Sequence, residues 1–197
     1  MAIGYSAEVL LKSAWTPPIG TIADAMSARF GEVLPIRAGR CCACASSLAL
    51  EVDGADVVIE TIAEPRPHLP DPYGLEPLRQ AGTAAASDEH AARLSLDCSG
   101  PGTGAVWAKA YATVVTLVAG ALACLGPGSA VFYPASGATL RPLDALRAGR
   151  MALQGVSPIE AWVSFYPFAP TNPTGQGTHG ALTRGLAPLI GREIEIA

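Results

Sequence analysis

Apolar residues recur with two different periods along this chain of 197 residues, and each period predicts one kind of element. In ARLSLDC, residues 92–98, every second residue is apolar, as in a strand with one buried face. Residues 47–62, SLALEVDGADVVIETI, contain two such runs on either side of Asp53-Gly54. Because glycine accepts positive φ without a steric cost, this pair predicts a hairpin turn. Residues 5–11 are predicted as a first strand.

A period of three to four residues appears in TPPIGTIADAMSARFG, residues 16–31, and predicts an amphipathic helix. Its apolar stripe consists of Ile19, Ile22, Met26 and Phe30. We expect Thr16 to cap the helix through its hydroxyl group and Gly31 to end it. A second amphipathic helix is predicted in RPLDALRAGRMAL, with its larger side chains facing inward, namely Leu143, Leu146 and Met151.

The most apolar segment, AYATVVTLVAGALACL, covers residues 110–125 and contains no charged residue. A membrane-spanning helix needs about 20 apolar residues and basic anchors, whereas the flanks of this segment are GPGTG and GPG. We therefore predict no membrane span. The segment is predicted as a helix over about residues 103–125 that is buried on all sides in a protein core. We expect Gly126-Pro127-Gly128 to end it.

Three further elements are predicted near the C-terminus. EAWVSFYPF, residues 160–168, alternates as a strand, and GALTRGLAPLIG, residues 180–191, is predicted as a short helix. The ending REIEIA is predicted as a last strand with Ile194 and Ile196 on one face.

The order of these elements favours an α+β fold, in which helices pack on a mixed, largely antiparallel sheet. Half of the residues are apolar and 15% are charged, so the chain can bury a sizeable core. Residues 1–197 are predicted as a single domain. The pattern leaves open a division into two fused, ferredoxin-like halves, about 1–85 and 86–197.

Charge and cysteine content restrict the compartment and the partners. The net charge of −4, without a cluster of Lys and Arg, predicts no general affinity for nucleic acid. The beginning MAIGYSAEVLLKSAW lacks the basic and long apolar regions of a secretory signal. Five unevenly placed cysteines argue against a disulfide scaffold and favour a reducing cytoplasm.

GQGTHG, residues 175–180, has the G-x-G-x-x-G spacing of a dinucleotide-binding loop, and Glu195 lies twenty residues beyond Gly175. That fingerprint requires a loop that joins the first strand of a βαβ unit to its helix, in a sheet that continues beyond it. Here only one strand is predicted after the helix, and Gly185 and Pro188 interrupt the helix itself. We therefore expect no nucleotide cofactor, and we interpret the glycines as a flexible loop.

Cys41 and Cys44 have the C-x-x-C spacing of redox pairs and of zinc ligands. The residues that follow, ASSLALEV, predict a strand rather than the helix that would lower a thiol pKa. A second paired Cys/His motif, which a zinc site needs, is missing from the sequence. The two cysteines are candidates for redox or metal chemistry, beside the simpler interpretation of small residues that pack a tight turn.

A candidate ligand or anion site is predicted where two late loops would converge. Tyr133 and Ser136 lie in AVFYPASG, a predicted strand and turn. His179 and Arg184 lie at the start of the predicted C-terminal helix, whose free N–H groups would attract an anion. Tyr166 is predicted as an exposed aromatic residue on the same surface. The sequence has no G-x-S-x-G nucleophile elbow, so we assign no catalytic residue.

Two functional hypotheses follow from these features. The first is a binding or protein-interaction module, whose partner is an unknown protein or a second copy in a homodimer. The second is a small enzyme or ligand sensor with its site near the Gly-rich loop, which requires an imidazole close to a hydroxyl or thiol in a pocket. His90, in SDEH, is predicted to lie in a solvated loop, or in the core with a hydrogen-bond partner if it enters the buried face of the strand.

Six segments carry a family resemblance: EVLL, DVVIETIAEPRP, HAARLSLDCSG, AVFYPASGATLRP, EAWVSFYPF and the ending TRGLAPLIGREIEIA. The main matches are YPASG with Leu140 and Pro142, the strand of Trp162, and Thr183-Arg184-Gly185-Leu186 leading to Gly191 and Glu193. With these segments, most of the chain resembles the bacterial domain-of-unknown-function 4261 family. The resemblance implies a bacterial, cytoplasmic, compact α+β protein and no particular chemistry. RCCACASS and AGTAAASDEH depart from the family pattern.

Overall fold

The computed structural model describes residues 4–31, 35–39, 47–67, 89–168 and 180–196. In chain order the elements are β1 (Tyr5–Leu11), α1 (Ile19–Phe30), β2 (Ile36–Ala38), β3 (Ser47–Val52), β4 (Ala55–Ile62), β5 (Ala92–Ser99), α2 (Ala105–Ala123), β6 (Gly128–Tyr133), β7 (Ala138–Leu140), α3 (Pro142–Leu153), α4 (Ile159–Trp162), β8 (Ser164–Phe168), β9 (Gly180–Arg184), α5 (Ala187–Ile190) and β10 (Glu195–Ile196). This mixture of helices and hairpin-linked strands confirms the predicted α+β class.

Seven strands form one sheet in the order β2-β3-β4-β5-β1-β6-β7, and β10-β9-β8 form a second sheet. Every pair among the described strands is antiparallel, so these strands contain none of the parallel pairs of a mixed sheet. The N-terminal strand β1 lies between β5 and β6. The large sheet therefore joins strands from both ends of the sequence, and the division into ferredoxin-like halves stays a prediction.

The predicted hairpin is confirmed, and so is the alternation of β5. Asp53 and Gly54, with φ of 51° and 76°, form the turn between β3 and β4. Leu94, Leu96 and Cys98 are buried in β5, as expected for the face that packs on the helices. On the opposite face of β4 and β5, in contrast, polar residues reach solvent. One face of the large sheet thus belongs to the core and the other carries charge.

Helix α2 forms the centre of the core, as predicted. Thirteen of its 19 residues are buried, and it packs on β1, β5 and β6 and against α1 and α3. Among the described residues it is the one helix that is long and apolar enough to cross a membrane. Because 67% of its most apolar stretch is buried within the protein, it serves as a core helix in a fold that is compatible with a soluble protein.

Helix α3 forms where predicted, but it packs through a different face. The predicted inward residue Leu143 is 74% exposed, while Leu146 and Met151 are half-buried. A Cβ atom added to Gly120 of α2 would lie 2.8 Å from the carbonyl oxygen of Ala145, so the two helix backbones approach closely. Large side chains do not fit into such an interface. The buried residues of α3 are accordingly small: Ala145, Ala148, Gly149 and Ala152.

The apolar stripe of α1 faces the core as predicted, and Gly31, with φ of 79°, ends the helix. The prediction that Thr16 caps α1 is wrong. The helix begins at Ile19 after Pro18, and no side chain caps it. The hydroxyl of Thr16 instead shares a hydrogen bond of 2.9 Å with the hydroxyl of Thr61 on β4.

The C-terminal elements differ most from their predictions. The segment GALTRGLAPLIG is not one helix: its first part is strand β9, which pairs with β8 and β10, and only α5 is helical. Gly185, with φ of 99°, turns the chain between the two. The predicted strand around Trp162 begins with the single helical turn α4. The last strand contains only two residues, and Ile194 precedes it with 40% exposure.

Candidate functional site

The predicted site residues Tyr133 and Ser136 are both fully buried at the β6–β7 turn. Burial raises the pKa of Tyr133, so its hydroxyl stays protonated. The hydroxyl of Ser136 donates to the carbonyl oxygen of Ala161 at 2.8 Å and accepts from the N–H of Ala138 at 3.1 Å. The Ser136 side chain therefore holds the turn against α4 rather than facing a ligand.

The premise that a helix starts at Gly180 is wrong, because that residue begins β9. The N–H groups without a main-chain partner lie further along the chain, just before α5 and at its first residue. The Glu193 carboxylate already binds them. It accepts from the N–H groups of Gly185 at 2.8 Å, Leu186 at 3.1 Å and Ala187 at 3.0 Å. An internal carboxylate thus occupies the position that was predicted for an external anion.

The two late loops do converge in the described part of the chain. Arg184 donates through Nη2 to the carbonyl oxygen of Pro134 at 3.4 Å, and a Cβ atom on Gly137 would lie 3.8 Å from Arg184 Nη1. Tyr166, predicted to be exposed, is buried, and its hydroxyl donates to the carbonyl oxygen of Ser136 at 3.4 Å. His179 lies outside the described residues, so the four-residue site as a whole stays a prediction.

A second group of side chains lies on the face of the large sheet that the helices do not cover. We call it the arginine cluster; it consists of Glu8, Arg66, Arg93 and Phe132. Glu8 and Phe132 lie opposite each other in the β1–β6 pair. Because residues alternate along a strand, both point away from the helices that cover the buried residues of β1.

Arg66 is the central residue of the arginine cluster. Its Nε atom lies 2.9 Å from Glu8 Oε2, and its Cζ atom lies 3.7 Å from the centre of the Phe132 ring. Arg93 approaches the same carboxylate, with 3.7 Å between its Nε atom and Glu8 Oε1. The aromatic face and the carboxylate fix the orientation of the Arg66 guanidinium group.

Main-chain contacts fix the segment that carries Arg66. Arg93 Nη1 donates to the carbonyl oxygens of Glu64 at 3.1 Å and Pro65 at 2.9 Å. The N–H of Arg66 donates to His90 Nε2 at 2.6 Å. His90 is only 8% exposed, so the solvated-loop prediction is wrong. The residue is buried with a hydrogen-bond partner, but it precedes β5 and does not lie in the strand.

Burial lowers the pKa of the Arg66 guanidinium group. The charge of Glu8 opposes this shift, whereas the positive charges of Arg93 and Arg184 add to it. Arg184 lies beside the arginine cluster, because it reaches Pro134, two residues beyond Phe132. Two guanidinium groups, those of Arg66 and Arg93, therefore approach the Glu8 carboxylate, and the charge of Arg184 also acts on Arg66.

The two Nη atoms of Arg66 have no hydrogen-bond partner among the residues that the structure describes, although Nε is paired. The Arg66 side chain is 25% exposed. A guanidinium edge with two parallel N–H groups matches two oxygens of a carboxylate or a phosphate. The arrangement can therefore hold an anionic group.

Sequence reasoning identified Arg184 but missed Glu8, Arg66 and Arg93. One signal was present: the charges of Glu8 and Arg93 interrupt otherwise apolar strands, which places them on a face that is not core. Arg66 carried no signal of its own within a proline-rich loop.

The other predicted chemistry finds little support in the described residues. Cys41 and Cys44 lie outside them, and within them no group of three or more potential metal ligands occurs. Burial raises the pKa of Cys98 to about 12, so this thiol is unreactive. Residues 175–179 also lie outside the description, and the strand β9 follows them in place of the helix that a dinucleotide fingerprint needs.

Comparisons of the chain with models of protein families, with curated proteins and with solved structures find no match. The resemblance to the bacterial domain-of-unknown-function 4261 family stays a prediction.

Proposed function

We propose that this protein is a binding module that holds an anionic group of its ligand at the arginine cluster. The observation that carries the proposal is Arg66. Its guanidinium group is stacked on Phe132 and paired through Nε with Glu8, and its two Nη atoms have no hydrogen-bond partner among the described residues. Preorganised, partly desolvated donors of this kind bind anions with little loss of side-chain entropy.

The charge balance of the arginine cluster supports the same proposal. Glu8 pairs with both Arg66 and Arg93, and the positive charges of Arg93 and Arg184 disfavour the charge on Arg66. Like charges that are held together in a half-buried place cost free energy. A bound anion would lower that cost, which gives the site an intrinsic affinity for negative groups.

Binding rather than catalysis is favoured by the hydroxyl groups nearby. Ser136 and Tyr166 are buried and donate to main-chain carbonyl groups, and Tyr133 is fully buried. A nucleophile must reach the substrate and a base that activates it. The enzyme hypothesis therefore lacks an accessible nucleophile among these residues, while a ligand sensor would use the same arginine cluster.

We further propose a bacterial cytoplasm as the compartment. Free thiols at Cys98 and Cys124 support a reducing environment. The anionic group belongs either to a small molecule or to an acidic side chain of a protein partner or second copy. The molecular mass of the purified protein in solution, measured with and without added anions, distinguishes these sources.

The test measures anion binding by calorimetry and by thermal stabilisation, with sulfate, phosphate and acetate at constant ionic strength. The wild-type protein is expected to bind at least one of these anions and to melt at a higher temperature in its presence. Arg66→Gln removes the charged donors and is expected to weaken binding by about tenfold to a hundredfold.

Arg37→Gln is the matched control, because the Arg37 side chain on β2 is 74% exposed and lies 4.0 Å from Glu51. This variant removes one positive charge far along the same sheet, where β2 is the edge strand. It should leave anion binding unchanged. Equal losses in the two variants, or no binding by the wild-type protein, would contradict the proposed function.

A further inference from the structure

We infer that a cavity beside helix α2 binds a small aromatic carboxylate. The cavity has a volume of about 360 Å³, and small-molecule sites occupy about 300–1,000 Å³. Its walls are the N-terminal part of α2, the end of α3 and the turn between β3 and β4. We call it the α2 cavity. Because α2 covers the core face of the large sheet, the α2 cavity lies apart from the arginine cluster on the opposite face, and it adds a second ligand site beyond the proposed function.

Trp107 gives the α2 cavity a fixed aromatic surface. A Cβ atom on Gly102 would overlap the indole ring, so the Gly102 main chain lies directly against it. Tyr111 holds that glycine in place: its hydroxyl donates to the Gly102 carbonyl oxygen at 3.2 Å and accepts from the Gly102 N–H at 3.1 Å. The Trp107 side chain is nevertheless 42% exposed. A ring that is held by its neighbours but remains open to solvent can stack on a second ring with little loss of side-chain entropy.

A polar side of the α2 cavity lies across from Trp107. With about 3.6 residues per turn, Ala110 lies between Trp107 and Lys109 on the surface of α2. Thr113 follows Lys109 by one turn on the same side, and all four residues line the cavity. Lys109 Nζ donates to the carbonyl oxygen of Gly155 at 3.5 Å, which places this polar side next to the end of α3. A ring on Trp107 therefore directs a substituent across Ala110 toward an ammonium and a hydroxyl group.

The two donors favour a carboxylate as that substituent. Lys109 is the one cation among the described residues that line the α2 cavity, and the Thr113 hydroxyl can donate to a second oxygen of the same group. Asp53 is the one acid among them, and it lies on a different wall, in the exposed turn between β3 and β4. A single exposed acid offers an amine a screened charge and no second partner. The α2 cavity thus fits a ring stacked on Trp107 with its carboxylate between Lys109 and Thr113.

The experiment measures the binding of three probes that share a phenyl ring: phenylacetate, the neutral phenethyl alcohol and the cationic phenethylamine. Ligand-observed NMR gives the affinity of each probe at constant ionic strength. Phenylacetate is expected to bind with about millimolar affinity, the alcohol more weakly and the amine most weakly. Tryptophan fluorescence, excited at the red edge of the absorption band where the probes do not absorb, should change when phenylacetate is added, and Trp107→Leu should remove that change.

Two variants test the two sides of the α2 cavity. Trp107→Leu keeps an apolar side chain but removes the stacking surface, so it should weaken the binding of phenylacetate and of phenethyl alcohol alike, by about tenfold. Lys109→Gln removes an exposed charge. It should weaken phenylacetate binding by about twofold to fivefold and leave phenethyl alcohol binding unchanged.

Lys12→Gln is the matched control, because it removes one positive charge from an exposed residue at a distance from the α2 cavity. Lys12 follows Leu11, which pairs with the first residue of β5, whereas the loop with Gly102 follows the last residue of β5. This variant should change the binding of none of the probes. Thermal melting shows whether each variant is folded; if Trp107→Leu is unfolded, Lys109→Gln and the order of the three probes decide the inference.

The outcomes separate this inference from the proposed function. Phenylacetate binding that falls in Trp107→Leu and Lys109→Gln but persists in Arg66→Gln supports the α2 cavity as the site. If binding is instead lost in Arg66→Gln and unchanged in Trp107→Leu, the arginine cluster holds the carboxylate and the inference is overturned. Tighter binding of phenethylamine than of phenylacetate, equal losses in Lys109→Gln and Lys12→Gln, or no phenylacetate binding by the wild-type protein overturns it as well. None of these results alters the test of the arginine cluster with sulfate and phosphate.

Discussion

The close contact between α2 and α3 gives a sharp test of the fold through the substitution Gly120→Ala. A Cβ atom at this position would lie 2.8 Å from the carbonyl oxygen of Ala145, and 3.0 Å from the Ala145 carbonyl carbon and from Leu146 Cα. All three are main-chain atoms, so a side-chain rotation does not relieve the contact. The two helices would have to move apart along a buried interface.

Two opposing effects determine how much Gly120→Ala changes the free energy of unfolding. Overpacking of a tight core costs about 1–3 kcal/mol, and the main-chain contacts at Gly120 place this case at the upper end. The higher helix propensity of alanine returns up to about 1 kcal/mol. We expect a net loss of about 2 kcal/mol, which lowers the melting temperature of a protein of this size by about 4–8 °C.

Gly20→Ala is the matched control, since Gly20 is an exposed residue of α1 and an added Cβ would meet nothing within 4 Å. Here only helix propensity acts, and we expect a gain of up to about 1 kcal/mol. Thermal and urea unfolding, followed by circular dichroism, measure both variants. If Gly120→Ala is as stable as the wild-type protein, or gains stability like Gly20→Ala, the close α2–α3 contact is refuted.

Three further substitutions test the second sheet, the core and the charged face, each by thermal and urea unfolding. Glu193→Gln removes the charge of the carboxylate that accepts hydrogen bonds from three main-chain N–H groups and from Thr183. We expect the free energy of unfolding to fall by about 1–3 kcal/mol. An unchanged melting temperature would contradict this role. Trp162→Phe removes the buried bond from Trp162 Nε1 to Thr116 Oγ1, which is 2.9 Å long; the lost bond and the new cavity should cost about 2–4 kcal/mol. Partial burial, and to a smaller extent repulsion by Glu60, raise the pKa of Asp97 above its ordinary value of 3.8. The protonated carboxyl group therefore favours the folded state: its contribution to stability is full below pH 3.8 and is lost as pH rises through the raised pKa. Asp97→Asn should therefore stabilise the protein at neutral pH by a few tenths of a kcal/mol, and a gain that persists in strong acid would show that the charge is not its cause.

Local sequence patterns predicted those elements whose packing in the fold agrees with their own periodicity. The alternation of β5, the Asp53-Gly54 turn and the apolar helix α2 follow from the sequence, because each depends on residues that are close along the chain. The inward face of α3 did not follow from the sequence pattern. Its hydrophobic pattern favours Leu143, but the short distance to Gly120 selects alanine and glycine.

Strand β9 shows how tertiary pairing overrides local preference. Its residues continue into a segment with helical character, yet hydrogen bonding to β8 and β10 makes them a strand. The same pairing directs the N–H groups after Arg184 toward Glu193. The predicted anion site at a helix start could not be judged without this pairing.

The sequence by itself determined the α+β class, the core helix and the buried face of β5, because hydrophobic periodicity records which side of each element is buried. Only the tertiary structure decided which charges meet. Glu8, Arg66 and Arg93 come from distant parts of the chain, and they meet because β1 lies between β5 and β6. Arg184 approaches Pro134 because the second sheet packs beside the β6–β7 turn. Strand order depends on long-range pairing energies, which no local pattern encodes.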